Sequence, residues 1–405
     1  MAGDELRFAD LIAPFAEADF LARYHGKAPV HIRREGAVTA PLLGWDAFNS
    51  ALATGRYWTA ERLRLIMGSR FAMAQHYCDE KDTLEGKVML ANPGKVRAFL
   101  GMGASLVANQ IEAVAPDVRR HARALQRRFG ASVAANVYCS FGGVQAFETH
   151  YDLHDVFAVQ TEGEKVWRIW EGRADTPIRG LPDGEATSRY LQATRGKLLF
   201  EAHMKPGDVL YLPRGQYHDA LASTAASLHV TFSVSPLRGL DLIDLLAEEA
   251  EGESLFRAYI PDARSDREAV RTRLVQMAER VSELMQSQAF IDAVAARQAA
   301  FETPPDDYAL PARPDPAYYA PTGEPAQLER RDSGHVVRTR AGEIPLGRAA
   351  RAAGWILQQP FFTDIALGAA HPELGKDGAD ELIGQLLKAG IIAQTRPEGL
   401  PPRRA

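Results

Sequence analysis

The sequence predicts an α+β protein in which a strand-rich core follows a mostly helical N-terminal part. Residues 131–235 contain short stretches rich in Val, Phe, Tyr and Trp, separated by Gly, Pro or Asp turns. Several short strands in succession are typical of a β-sandwich or barrel. After Pro236 the apolar residues recur at helical spacing again. These changes of periodicity define a first domain at 1–236, with its β core at 131–235.

Composition indicates a globular protein that needs no metal or disulfide merely to fold. The chain has 405 residues, of which 46% are hydrophobic and 24% charged, and its only cysteines are Cys78 and Cys139. A net charge of −5 argues against direct nucleic-acid binding. The N-terminus lacks the basic start and apolar run of a signal peptide, and no uncharged apolar run is long enough to span a membrane. We therefore expect a cytoplasmic protein without membrane contact.

The elements of the first domain follow from local pattern. Residues 15–24 and 116–129 have helical patterns, with Pro116 suited to a first helical turn. Between them, Val30–Ile32 is a short strand candidate. The core strands are predicted at 132–140, 155–160, 165–170, 197–201, 208–212 and 227–234.

Residues 237–301 are predicted to form a helical dimerisation region. Apolar residues there follow an a/d-type pattern between charged positions. They are Val270, Leu274, Met277, Val281, Leu284 and Ile291. An intramolecular helix pair and a homodimer interface would both use such a pattern, and the homodimer is favoured.

The C-terminal part is predicted to be a separate module. Residues 302–329 are rich in proline and are interpreted as an extended linker. In 330–405, a β-like stretch at 335–339 precedes helical patterns at 346–359 and 380–389. The final helix leads through Gly390 into a short apolar stretch, an order typical of a winged-helix-like module.

His150 and Asp152 form the first half of a candidate metal site. On a strand, residues two apart point to the same face, so an imidazole and a carboxylate could reach one ion. A second imidazole would complete a 2-His-1-carboxylate triad, which leaves coordination positions open and suits non-haem Fe(II) oxygenases. The H-x-D triplet is weak evidence alone, and spacing leaves His154 open as a ligand.

The second half is His218, which follows an apolar strand and the turn Pro213-Arg214-Gly215. A strand of that kind could pair beside the first motif in a barrel. His203 and His229 are competing candidates for the same role.

Lys165 begins an apolar strand, Lys-Val-Trp-Arg-Ile-Trp. An inward-pointing ammonium needs an anionic partner, because burying an unpaired charge is costly. A lysine pointing outward into solvent is the ordinary alternative. Taken together with the two histidine motifs, an inward lysine that binds a dicarboxylate explains the pattern better.

These motifs closely resemble those of JmjC-type cupin proteins grouped with the ribosomal oxygenases. The resemblance is specific over about 131–235 and extends more loosely over most of the chain. It is carried by Ala135-Asn136-Val137-Tyr138, His150-Tyr151-Asp152, Asp155-Val156-Phe157, Gln160, Glu162-Gly163, Lys165, Trp167-Arg168, Pro206-Gly207-Asp208, Tyr211, Pro213-Arg214-Gly215, His218 and Ser227-Leu228-His229-Val230-Thr231.

The resemblance implies a double-stranded β-helix (the JmjC/cupin jelly roll) that holds Fe(II) through His150, Asp152 and His218. It matches Lys165 to the residue that pairs with the distal carboxylate of the cosubstrate 2-oxoglutarate. Asn136 and, less securely aligned, Ser227 match further residues of the cosubstrate site, and Tyr138 is an additional pocket candidate. The resemblance assigns His229 to packing rather than to the metal. Mn(II) and Ni(II) would fit the same ligands.

The function implied is a dioxygenase that uses O2 and 2-oxoglutarate to hydroxylate a side chain of a protein, with a ribosomal protein the favoured substrate. Succinate and CO2 are the coproducts. Alternatives are a hydroxylase of a peptide or small molecule, an N-methyl-lysine demethylase, and a cupin enzyme that uses metal without 2-oxoglutarate. A non-catalytic cupin interaction module is the alternative from a different class. The C-terminal module is at least as compatible with protein contacts as with DNA binding.

Overall fold

A computed structural model describes residues 6–34, 42–67, 70–83, 86–141, 148–182, 184–303, 316–331 and 334–395, without the side chains of 222–225. The chain divides into two compact units, Met1–Pro305 and Asp306–Ala405. The predicted strands and helices of the β core and its flanks fall in the first unit. Residues 304–315 of the predicted linker at 302–329 lie outside the described residues.

The first unit is built on an antiparallel sheet. Its strands are β1 (Val30–Ile32), β2 (Leu63–Met67), β3 (Arg70–Phe71), β4 (Cys78–Thr83), β5 (Gly86–Ala91), β6 (Ser105–Ala108), β7 (Ala131–Phe141), β8 (Asp155–Arg173), β9 (Leu198–Met204), β10 (Val209–Leu212) and β11 (Gln216–Pro236). Among the described residues the main sheet runs β1-β10-β8-β11-β7-β6-β2-β3, with β9 also paired to β8, while β4 and β5 form a separate hairpin.

Two strands of this sheet are longer than predicted. The stretches expected at 155–160 and 165–170 belong to one strand, β8, and the stretch at 227–234 is part of β11. Gly163 looked like a turn residue, and it does have φ 63°. Gly163 lies at an irregularity in the pairing of β8 with β11: the register shifts there, and the two strands continue to pair on both sides of it. A glycine between strand-like stretches therefore marked a bulge and not a turn.

Helices cover the ends and one side of this sheet. They are α1 (Phe8–Ile12), α2 (Glu17–Arg23), α3 (Trp45–Leu52), α4 (Pro93–Gly101), α5 (Pro116–Phe129), α6 (Glu185–Thr194), α7 (Gly239–Ala250), α8 (Ser254–Arg257), α9 (Arg267–Gln286) and α10 (Gln288–Ala299). Helix α5 has the predicted bounds, and α2 lies within the predicted helix at 15–24. Val118 and Leu125 of α5 are fully buried in the main core.

The predicted a/d pattern is only partly buried within the chain. Val281 and Leu284 of α9 pack around Leu245, Leu246 and Phe290. By contrast, Leu274 and Ile291 leave more than half of their surface exposed. The helical region therefore buries one part of the pattern internally, and the homodimer stays a prediction. No helix among the described residues has the length and apolar character needed to cross a membrane.

The described residues of the second unit form two small antiparallel sheets and three α-helices. Its elements are β12 (Tyr318–Pro321), β13 (Ala326–Arg331), β14 (Gly334–Thr339), β15 (Gly342–Pro345), α11 (Ala350–Gln358), β16 (Phe362–Thr363), α12 (Asp364–Ala370), α13 (Gly375–Lys388) and β17 (Ile392–Thr395). The sheets have the orders β16-β12-β17 and β13-β14-β15.

The predicted linker is folded from residue 318 onward. Strand β12 pairs with β16 and β17, and the ring of Tyr319 stacks on Phe362 at 5.3 Å between ring centroids. Proline-rich composition obscured this strand because its pairing partners lie far along the chain. The predicted strand at 335–339 and the helical patterns at 346–359 and 380–389 correspond to β14, α11 and α13. Winged-helix-like character stays a prediction.

The N-terminal helices are anchored to the sheet by aromatic packing, which makes Phe20 a test of this core. Its ring is fully buried and contacts Phe8, Phe157 and Tyr211. We expect Phe20→Ala to lower the free energy of unfolding by about 3–5 kcal/mol, measured by chemical denaturation. The fully exposed Tyr259 is the control, and Tyr259→Ala should change stability by no more than about 0.5 kcal/mol. Equal effects of the two changes would contradict the packing described.

Candidate active site

Three side chains converge on one point at the end of β11. Among the described residues, the only group of acidic, histidine or cysteine residues with metal-ligand spacing is His150, Asp152 and His218. Their ligand atoms all lie within 4.8 Å of one another. The structure thus brings together the three metal ligands expected from sequence.

The backbone holds the two histidines directly opposite each other. His150 and His218 form an isolated antiparallel bridge, with N···O distances of 3.0 and 2.9 Å. The expectation that His150 and Asp152 lie on a strand is therefore wrong, because residues 148–154 make only this bridge. A further contact, from the amide of Gly215 to the carbonyl of Asp152 at 2.9 Å, fixes the other end of the segment.

Gly215 is required at that contact. Its φ is 84°, and a side chain there would place Cβ 2.3 Å from the carbonyl oxygen of Ala174. Only glycine adopts this conformation at such close backbone approach without strain. The Pro-Arg-Gly turn recognised in the sequence thus positions the segment that carries Asp152.

Both imidazole rings are oriented by backbone carbonyls. Nδ1 of His150 donates to the carbonyl of Glu148, and Nδ1 of His218 donates to that of Gln216, each at 2.9 Å. Hydrogen bonds of this kind fix the tautomer and leave Nε2 as the free lone pair. Nε2 of His218 lies 3.6 Å from a carboxylate oxygen of Asp152. The two rings therefore present ligand atoms toward the same point as the carboxylate.

The electrostatics also favour a cation. Burial lowers the pKa of His218 to about 4, with His150 acting in the same direction, so its ring is neutral at pH 7. Burial alone would raise the pKa of Asp152, but His218 and His150 more than offset that effect and lower it. Two neutral imidazoles and an ionised carboxylate are the donor set that divalent first-row metals prefer.

The competing histidines lie outside this group. Nδ1 of His154 faces the carbonyl of Asp155 at 3.3 Å, and His203 is mostly exposed beside Glu201. His229 is buried between two aromatic rings, stacked on Tyr138 at 4.9 Å and edge-on to Trp167 at 5.4 Å. This placement agrees with the packing role that the resemblance implied for His229.

A cavity extends from the three ligands into the barrel. It encloses about 480 Å³, including its open mouth, and is lined by Tyr138, His150, Asp152, Val156, Lys165, Trp167, His218, Ala220, His229 and Thr231. Lys165 is only 4% exposed. In the described part of the chain no carboxylate lies within ion-pair distance of its ammonium group. The inward lysine expected from sequence therefore faces the same cavity as the metal ligands.

Several residues that line this cavity carry a buried polar atom with no hydrogen-bond partner among the described residues. These atoms include Nε1 of Trp167, Nδ1 of His229 and Oγ1 of Thr231. Buried polar groups are nearly always satisfied in folded proteins, so unsatisfied groups around one cavity indicate a polar ligand. Together with Lys165, they favour an anionic one.

The remaining predicted pocket residues share the face of the sheet that bears Tyr138 and His229. Strand register places Asn136 opposite Thr231 and Ser227 opposite Ser140. Oγ of Ser227 accepts a hydrogen bond from Gln160 at 2.9 Å, and Oδ1 of Asn136 accepts one from the amide of Gln110 at 3.2 Å. Neither residue lines the cavity, so their cosubstrate roles stay predictions.

Thr231 and Trp167 line the cavity, although the sequence motifs that contain them assigned neither residue a role in the site. The available signal was alternation, since Thr231 lies two residues beyond His229 and Trp167 lies two residues beyond Lys165. Side chains two residues apart on a strand share a face, so the inward side chains of His229 and Lys165 already indicated that Thr231 and Trp167 point inward as well.

The part of the chain that carries this site is similar to a known domain family. Residues 107–242 match the JmjC domain family. Ribosomal oxygenase 1 of Gallus gallus is 31% identical over 228 residues, which cover 56% of this chain and 36% of that protein. The bifunctional lysine-specific demethylase and histidyl-hydroxylase NO66 of Dictyostelium discoideum is 30% identical over 230 residues, covering 56% of this chain and 42% of that protein.

Residues 107–242 are thus similar to the JmjC domain family, and the triad lies within this stretch of antiparallel strands. The chain is also similar to a ribosomal oxygenase 1 and to an NO66 protein, although it spans less than half the length of these two relatives. A solved structure of YcfD, a ribosomal oxygenase from Escherichia coli in complex with cobalt and 2-oxoglutarate, aligns over 94% of this chain and 98% of that one, with 17% identity and a TM-score of 0.47.

Removal of a ligand tests the metal site directly. We expect His218→Ala to weaken Mn(II) binding by at least ~100-fold in calorimetry, because even outer partners of metal ligands contribute about 10–100-fold. The matched control is His203→Ala, which removes an exposed histidine outside the group. Similar Mn(II) affinity in the wild type and in His218→Ala would refute this assignment.

Lys165 provides a second test, because its buried charge should cost stability. Burial lowers its pKa from 10.5 to about 8, which corresponds to about 3 kcal/mol. The folded state then holds the proton less tightly than the unfolded chain does. The penalty is therefore complete below pH 8 and disappears as the pH rises toward 10.5.

We thus expect Lys165→Met to raise the free energy of unfolding by about 3 kcal/mol at pH 7, with the gain shrinking toward pH 10. Urea denaturation across this pH range measures it. Lys197→Met, at an exposed lysine, is the control and should change stability by no more than about 0.5 kcal/mol. A destabilised Lys165→Met variant would mean that Lys165 has an anionic partner within the protein.

Proposed function

We propose that this protein is an Fe(II)- and 2-oxoglutarate-dependent dioxygenase that hydroxylates a side chain of a protein substrate. The observation that carries the proposal is one cavity lined both by the His150, Asp152 and His218 triad and by the buried Lys165, which has no carboxylate partner among the described residues. O2 would be the oxidant: two of its four electrons would come from 2-oxoglutarate, which becomes succinate and CO2, and two from the substrate C–H bond that becomes C–OH. Iron held by the triad would be the place where O2 reacts.

The triad's part is to hold the metal from one side only. Two imidazole nitrogens and one carboxylate oxygen leave coordination positions free for cosubstrate and O2. The carbonyls of Glu148 and Gln216 keep both rings aimed at the site throughout, so the protein does not need to rearrange to bind the ion.

The role of Lys165 is to bind and orient the far carboxylate of 2-oxoglutarate. Burial largely removes the ammonium group of Lys165 from water, so water stabilises its charge poorly. An anion bound in the cavity would stabilise that charge instead. Thr231 and Trp167 offer a hydroxyl and an indole N–H in the same cavity, both without a partner among the described residues. Such groups fix the orientation of a dicarboxylate as well as its affinity.

Apolar side chains exclude water from the remainder of the cavity. Val156 and Ala220 line it beside Trp167, and Val156 and Trp167 are themselves buried. Exclusion of water strengthens the contact between Lys165 and a carboxylate, and it protects a reactive oxidant from side reactions.

The favoured substrate is a ribosomal protein, a choice supported by homology to proteins named ribosomal oxygenase 1. Other homologues are named as both lysine-specific demethylase and histidyl-hydroxylase. Demethylation of N-methyl-lysine is therefore the second candidate, since oxidation of an N-methyl group could use the same cavity. A hydroxylated product gains one oxygen atom, whereas demethylation releases formaldehyde, so mass spectrometry and a formaldehyde assay distinguish the two.

We extend the proposal to quaternary structure and location. A cytoplasmic homodimer formed through 237–301 would cover exposed apolar residues of that region, among them Leu240, Ile243, Leu274 and Ile291. The module at 330–405 is proposed to be winged-helix-like and to contact protein partners.

The activity is tested by succinate formation. Anaerobically purified wild-type protein, supplied with Fe(II), 2-oxoglutarate and then O2, should release succinate slowly even without a protein substrate. His150→Ala should reduce this rate to background because the triad is broken. His203→Ala should retain the wild-type rate.

The outcomes separate the parts of the proposal. If the wild type releases no succinate and calorimetry in the presence of Mn(II) detects no 2-oxoglutarate binding, the cosubstrate assignment fails and the interaction-module hypothesis replaces it. If 2-oxoglutarate binds but succinate appears only after ribosomal proteins are added, the assignment holds and turnover is coupled to the substrate.

A further inference from the structure

Asp219, the residue after the ligand His218, is a fully buried carboxylate. Its Oδ1 accepts hydrogen bonds from Arg168, at 2.6 Å from Nε and 2.5 Å from the terminal nitrogen. Its Oδ2 accepts from the indole N–H of Trp170 at 2.9 Å. A buried charge that is paired and hydrogen-bonded in this way is held in one position.

A fourth donor connects Asp219 to the other ligand segment. The hydroxyl of Thr149 donates to Oδ2 of Asp219 at 2.8 Å, and Thr149 immediately precedes the ligand His150. Thr149 is 3% exposed. Its hydroxyl also accepts from Arg195 at 3.2 Å, and the Arg195 guanidinium lies 3.8 Å from the Trp170 ring centroid. We call these five residues the Asp219 cluster (Thr149, Arg168, Trp170, Arg195 and Asp219).

Backbone alternation places this cluster behind the metal site. In extended chains, neighbouring residues point to opposite faces, so Thr149 and Asp219 point away from the face that carries His150 and His218. The hydrogen bond between them therefore lies on the reverse side of the backbone bridge that joins the two ligands.

This reverse-side contact matters because residues 148–154 lie outside any regular strand. Among the described residues its contacts include the His150–His218 bridge, the Gly215–Asp152 contact and the Thr149–Asp219 hydrogen bond, alongside the hydrogen bond from Arg195 to Thr149 and the ring contact of Tyr151 with Tyr217. The first two use backbone atoms. The third depends on side chains and connects the residues next to both histidine ligands.

We propose that Asp219, acting through Thr149, is a positioning residue that fixes the separation and orientation of His150 and His218 for metal binding. The inference rests on the proposed metal site and adds residues that do not touch the ion. Loss of the Thr149 hydroxyl leaves all three ligands in place but frees the His150 segment to shift relative to β11.

The test compares Thr149→Val with Thr149→Ser in the full chain, using Co(II) as the probe. Valine keeps the branched shape without the hydrogen bond, whereas serine keeps the hydroxyl. We expect Thr149→Val to weaken Co(II) binding by about 10–100-fold and to alter the visible absorption spectrum of the bound ion. Thr149→Ser should restore wild-type affinity and spectrum, and thermal unfolding without metal verifies that both variants are folded.

Each outcome has a distinct meaning. If Thr149→Val is folded and binds Co(II) with wild-type affinity and spectrum, the positioning role is overturned while the triad stands. If Thr149→Ser is as defective as Thr149→Val in both measurements, the hydroxyl is not the cause and the proposal is likewise overturned. If wild-type protein and His150→Ala bind Co(II) equally, the failure lies in the metal site itself.

Discussion

The pairing of β11 with a strand on each of its edges determines where every functional group lies. On one edge the β7 register sets His229 opposite Tyr138, and on the other the β8 register sets His218 opposite Ile169. The same strand also holds the His150 segment through a single backbone bridge. Strand β11 therefore fixes the position of His150 and His218 relative to His229, which lines the same cavity. A one-residue slip in the register of β11 would move its inward side chains to the other face of the sheet.

Two buried charged residues, Asp219 on β11 and Lys165 on the neighbouring strand β8, have opposite surroundings. Asp219 is satisfied within the protein by Arg168, Trp170 and Thr149, so its charge contributes to structure. Lys165 has no carboxylate partner among the described residues and faces an open cavity, so its charge is available to a ligand. If the proposed dicarboxylate binds in this cavity, it would offset the free energy that burial of the Lys165 charge is expected to cost.

The grouping of His150, Asp152 and His218 and the inward position of Lys165 could be predicted from sequence because several short motifs occur together and resemble one family. Each motif alone, such as the H-x-D triplet or a lysine at the head of an apolar strand, is weak evidence. The Asp219 cluster could not be predicted, since an aspartate after a histidine has no special pattern and the hydrogen-bond partners of Asp219 come from two distant segments. Similarly, Gly163 looked like a turn and β12 looked like linker, because long-range pairing decided both.

The most direct test of the combined metal and dicarboxylate site is a crystal structure of the protein soaked with Mn(II) and 2-oxoglutarate, with anomalous scattering used to locate the metal. We expect one anomalous peak bonded to Nε2 of His150, Nε2 of His218 and the Asp152 carboxylate, with the distal carboxylate of 2-oxoglutarate on the ammonium of Lys165. A peak away from the three ligands, or a dicarboxylate that leaves Lys165 without an anionic partner, would contradict the site described.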